Sequence, residues 1–143
     1  VTEVNGLRLA YRGLVAGLAA GWVWLAIALA GLLAVGADPV GLVRPLGGGA
    51  AWAAIGAMAL AQVVAGFVGM CFTYFFGRYF TIRTTVAVSA TAFALLAWLA
   101  ASDLAGAPTL RWSVQAVLVI ASLAYGATLG SSVPVRGEVL REP

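Results

Sequence analysis

The sequence predicts an all-α fold: an integral membrane four-helix bundle with both termini in the cytoplasm. Three observations carry the prediction. Hydrophobic residues make up 63% of the 143-residue chain and charged residues only 9%, against roughly 25% charged in a soluble domain. So few charges cannot cover a water-exposed surface, and a mean hydropathy of +1.03 points to lipid as the solvent. The charges that are present divide the chain into four uncharged stretches, each long enough to cross a hydrocarbon core of ~30 Å. The arginines are also distributed unevenly between the connections, which gives the bundle a direction.

The stretches are Gly13–Ala37, Pro45–Gly77, Thr84–Ser102 and Trp112–Val135. Gly47, Gly48 and Gly49 read as loop, so helices are expected over about 13–37, 50–77, 84–102 and 112–131 of a single transmembrane domain, residues 1–143. Val35-Gly36-Ala37 loosely resembles a leader cleavage site. The apolar run before it is far longer than a signal h-region of about 7–15 residues, so the first stretch reads as a membrane helix.

Arg8, Arg12, Arg78, Arg83, Arg136 and Arg141 fall on the N-terminal segment, the middle turn and the tail; only Arg44 and Arg111 fall on the other two loops. The positive-inside rule then places the termini and the middle turn in the cytoplasm, and a bacterial cytoplasmic (inner) membrane is the expected location. Trp52, Trp98 and Trp112 fall at the outer interface of that arrangement, and Tyr11, Phe75, Phe76, Tyr79 and Phe80 at the inner one. Both outer loops contain Asp, Pro and Arg before a Trp. A duplicated hairpin would leave such a pattern, and loops between membrane helices also produce it unaided.

The reactive inventory is poor. The chain has no His and no Lys, and Cys71 is its only cysteine. That excludes imidazole ligation of haem, copper or zinc, a Schiff base, an internal disulfide and a Cys-held iron–sulfur cluster. No hydroxyl or thiol has a His to activate it. No Asp, Glu or Arg lies deep in a membrane stretch, which argues against active ion or proton transport by this chain alone. Asp38 and Asp103 read as loop and helix-end residues rather than a catalytic pair, and Thr84-Thr85 and Ser131-Ser132 as capping residues. The arginines stand singly at helix ends, without the basic stripe that nucleic-acid binding requires.

Small residues recur at a spacing of four in the first stretch (Gly13, Gly17, Gly21) and in the second (Ala57, Ala61, Ala65, Gly69). Such rows let helix backbones approach closely, either within the chain or against another subunit. Gln62 is the amide placed deepest in the membrane. It is expected to bond a backbone carbonyl or a hydroxyl such as Ser89, Thr91 or Ser122; the alternative is a polar ligand such as a quinone carbonyl or a lipid head group. Trp22 and Trp24 stand near mid-helix on opposite sides, so at least one faces lipid, a protein partner or a pigment-like cofactor. Phe72–Phe76 with Tyr79-Phe80 reads as an interfacial anchor, and Cys71 as a buried small hydrophobe.

Arg12-Gly13-Leu14-Val15-Ala16-Gly17 at the opening of the first helix, a Pro-containing outer loop, Trp52, and the spacing Gln62–Gly66–Gly69 cover about half the chain. In these features it resembles the small bacterial inner-membrane proteins grouped with YagU. The resemblance implies a four-helix membrane fold and no established chemistry. Members often carry a His where this chain has Gln62, a departure that sets any shared polar site aside.

Together these features suggest a non-catalytic accessory subunit of a larger membrane complex, respiratory or photosynthetic electron transfer among the candidates. Gly13, Gly17, Gly21, Trp22, Trp24, Gln62, Gly66 and Gly69 are the expected packing or partner-contact residues. No cofactor is expected to be held by a ligand; lipid, quinone or carotenoid would be held by packing alone. The expected partners are membrane lipids and other integral membrane subunits, not nucleic acid. The alternative is a stand-alone homo-oligomeric carrier or permeability protein for a small apolar molecule. A lipid-modifying enzyme would need Asp38, Asp103 and Arg44 to converge near one interface.

Overall fold

The computed structural model describes residues 6–44, 49–104 and 110–133. Those residues form five helices and no strand: α1 Gly6–Ala34, α2 Pro39–Val43, α3 Ala50–Phe76, α4 Arg83–Leu104 and α5 Trp112–Ser132. All but α2 are long and apolar enough to cross a membrane, and the chain is a multi-pass, all-α membrane bundle. Pro45, Gly47, Gly48, Pro108, Arg136 and Arg141 lie outside the described residues.

α1 begins earlier than its charge boundary suggests. It starts at Gly6, carries Arg8 and Arg12 on its first turns, and ends at Ala34 instead of reaching residue 37. A guanidinium does not stop a helix; its long stem lies along apolar surface while the head reaches the interface. At 29 residues α1 is ~43 Å long, more than a bilayer core requires.

Its end is built locally. Gly36 has φ 67°, a left-handed conformation that a Cβ would strain. The Ala37 N–H then donates to the Leu32 carbonyl and the Gly36 N–H to Leu33, the paired bonds of a Schellman turn. Asp38 follows as N-cap of α2, accepting from the Val40 N–H at 3.0 Å, with Pro39 in the first turn. At the far end of the chain, Ser131 and Ser132 bond back to the Thr128 carbonyl inside α5 rather than capping an N-terminus. Thr84 and Thr85 are exposed in the first turn of α4.

The long helices form two antiparallel hairpins, α1 with α3 and α4 with α5, joined side by side through α1 and α5. α3 and α4 meet sparingly, through aromatic rings. Phe72 lies 5.9 Å from Phe80 and 5.6 Å from Phe93, centroid to centroid. Phe72 is only 1% exposed, so it is a core residue and not an interfacial anchor. Elsewhere many of the buried side chains are small, among them Ala16, Ala20, Ala90, Ala94 and Ala121, with Val86, Tyr125 and Leu129 the larger ones beside them. Large apolar side chains point outward instead, Leu60, Val63, Phe67, Val88 and Leu96 all being more than half exposed. In water that surface would aggregate; in lipid it is the ordinary exterior.

Candidate functional site

Six of the expected packing residues, Gly13, Gly17, Gly21, Gln62, Gly66 and Gly69, gather at the α1–α3 seam, and Trp22 and Trp24 do not. A methyl group on Gly13 would run into the Gly69 carbonyl and Thr73, and one on Gly17 would lie 2.5 Å from the Ala65 carbonyl oxygen. One on Gly66 would come within 2.9 Å of Leu14. The two small-residue rows therefore face each other inside the chain. Lipid tails are as apolar as the helices, so contact between backbones, not exclusion of water, holds this pair.

The same device joins α4 and α5, at residues the sequence-based expectation omits. A methyl on Gly130 would sit 2.5 Å from the Ala87 Cα, and one on Gly126 would strike Thr91 and the Ala90 carbonyl. Ser122, Gly126 and Gly130 repeat the four-residue spacing of Gly13, Gly17 and Gly21, and that spacing was the available signal.

Most hydroxyls within the spans are used structurally. Thr73, Thr91, Ser122 and Thr128 each donate to the carbonyl four residues earlier. Trp24 is partly buried and donates from its indole Nε1 to the Ser122 hydroxyl at 3.1 Å, linking α1 to α5. Tyr125 is buried in α5, and its hydroxyl donates to the Ala65 carbonyl of α3.

Gln62 departs from this pattern and from the expected hydrogen bond. Neither its Oε1 nor its Nε2 has a partner, although both atoms are buried. Thr91 and Ser122 spend their donors on their own helices, and Gln62 faces Gly21, which offers no side chain.

Trp22 points the other way from Trp24 and is 60% exposed, midway along α1. It shares that outward face with Val15, Ala19, Ala26, Leu29 and Ala30. No described residue accepts from its indole N–H.

The interfacial residues divide by end. Arg8, Arg12, Arg78 and Arg83 lie where α1 and α4 begin and α3 ends, together with Tyr11 and Tyr79. Asp38, Arg44, Asp103, Arg111, Trp52 and Trp112 lie at the opposite end. Asp38 is committed to capping α2, and no bond joins it to Asp103. Cys71 is a half-buried free thiol in α3. Among the described residues no group of three His, Cys, Asp or Glu side chains could hold a metal ion. The arrangement is one of helix contact faces and charged helix ends. Compared with models of known families, with curated proteins and with solved structures, the chain matches none.

Proposed function

We propose that this chain is a non-catalytic accessory subunit of a larger membrane protein complex, which it joins through the outward face of α1. The observation that carries the reading is Trp22. Tryptophan is ordinarily placed at membrane interfaces, where its ring meets hydrocarbon and its N–H meets water. Here the ring is 60% exposed midway along a membrane helix, where lipid tails offer the N–H nothing. A neighbouring helix with a carbonyl or hydroxyl at that depth would meet the need. Ala19, Ala26 and Ala30 on the same face allow such a helix to approach.

The polar groups described above support the reading, because most of those within the spans are satisfied inside this chain, on their own helices or, for Trp24 and Tyr125, on a neighbouring one. The uneven arginines support an orientation with both termini in the cytoplasm of a bacterium. A role beside an electron-transfer assembly belongs to the same proposal, with the exposed indole available to pack against a quinone or carotenoid.

Extraction of native membranes in mild detergent, followed by mass measurement of the intact particle, tests it. Stoichiometric recovery with different membrane chains is the expected result, with Trp22→Leu reducing that recovery. Recovery only as a single species or a homo-oligomer would reject the subunit reading and favour a stand-alone carrier for a small apolar molecule.

A further inference from the structure

A groove of about 490 Å³ opens on the outer surface where the first turns of α1 cross the end of α3. Leu7, Arg8, Ala10, Tyr11, Leu14 and Met70 line it. Its walls are apolar apart from one guanidinium and one phenol.

We propose that this groove binds an anionic phospholipid, with the phosphate against Arg8 and one acyl chain along Leu14 and Met70. The inference does not depend on the accessory-subunit reading. Depth is the first argument. The groove begins at the end of a membrane helix, where head groups sit, and Leu14 lies one to two turns further toward the bilayer centre. An occupant must therefore be charged at one end and apolar at the other.

Charge is the second argument. Arg8 is exposed, and no described residue bonds it. Its neighbours at this end are already engaged in part: Arg83 donates to the Ser131 carbonyl, and Arg78 lies 5.8 Å from the Tyr79 ring centroid. Both described carboxylates, Asp38 and Asp103, are at the opposite end of the bundle. Among the described residues, the formal charges at this end are all arginines. A guanidinium pairs well with a phosphate oxygen pair, and a lipid of net negative charge is favoured over a zwitterion.

Native mass spectrometry of the full chain in detergent, titrated with phosphatidylglycerol and phosphatidylcholine of matched acyl chains, tests the proposal. The expected result is tighter retention of phosphatidylglycerol, reduced about fivefold by Arg8→Gln, the effect of one Arg beside an anionic lipid. Arg111→Gln, at the other end, should leave retention unchanged. Ala10→Phe fills the groove while keeping every charge and should also weaken retention; circular dichroism would check that each variant keeps its helicity. Equal retention of the two lipids, equal losses in Arg8→Gln and Arg111→Gln, or full retention in Ala10→Phe would overturn it. So would complete displacement by equimolar glycerol phosphate, which would mean that the site reads phosphate alone.

Discussion

The Tyr125 hydroxyl lies 2.5 Å from the Ala65 carbonyl oxygen, joining α5 to α3 through the middle of the bundle. The same carbonyl is the atom that a methyl group on Gly17 would strike. Three helices therefore meet at Ala65: α3 supplies the carbonyl, α1 approaches it with a glycine, and α5 bonds it. Tyr125→Phe keeps the ring and removes the donor. Hydrogen bonds between membrane helices average about 0.6 kcal/mol and reach about 1.7 kcal/mol. A loss of about 1 kcal/mol in reversible unfolding from mixed micelles is expected, with the helix content unchanged.

Gly17 and Gly56 make a contrasting pair. Gly17→Val would push α1 off the Ala65 carbonyl and should destabilise by about 3 kcal/mol, the upper part of the usual overpacking range. Gly56 is on α3, and nothing lies within 4 Å of the Cβ position there. Gly56→Ala relieves only the conformational freedom of glycine and should stabilise by about 0.5–1 kcal/mol. If the two substitutions cost the same in an unfolding titration, the glycine seam is not what holds α1 to α3.

Gln62 should be better replaced than kept, as far as stability goes. Its amide is buried without a partner, and an unsatisfied buried group costs about 1–3 kcal/mol. Gln62→Met nearly preserves the volume and removes the polar atoms. A rise in thermal midpoint in detergent is expected; a clear fall would show that the amide has a partner in the folded protein.

Trp24 and Ser122 provide a pairwise test of the α1–α5 junction. Trp24→Phe and Ser122→Ala should each destabilise the bundle, and the double variant should cost less than their sum. The coupling should be about 0.6 kcal/mol, the average for such bonds in membranes. Additive losses would mean that the 3.1 Å contact contributes no energy of its own.

The spans were legible because lipid imposes length and apolarity so strictly; helix ends near residues 50, 76, 83 and 112 follow directly from the charges and glycines. The start of α1 was not, since Arg8 and Arg12 interrupt the apolar pattern without interrupting the backbone. The glycine rows of α1 and α3 were visible as spacing, but spacing alone does not reveal which helix each row meets. The α4–α5 seam has the same spacing at Gly126 and Gly130, where it is hard to distinguish from the other small residues of α5. Tyr125 gave no local signal, because its acceptor is a backbone carbonyl sixty residues away in sequence. The missing partner of Gln62 depends on where Thr91 and Ser122 direct their donors, which is a property of the packed helices and not of the chain pattern.

The most direct test of the account is photocross-linking from position 22 in native membranes, with a benzophenone amino acid in place of Trp22. The accessory-subunit reading predicts capture of one different membrane chain at high yield, with little capture from a control probe at Val88 on the lipid-facing side of α4. Capture of lipid alone, or of a second copy of this chain, would contradict it.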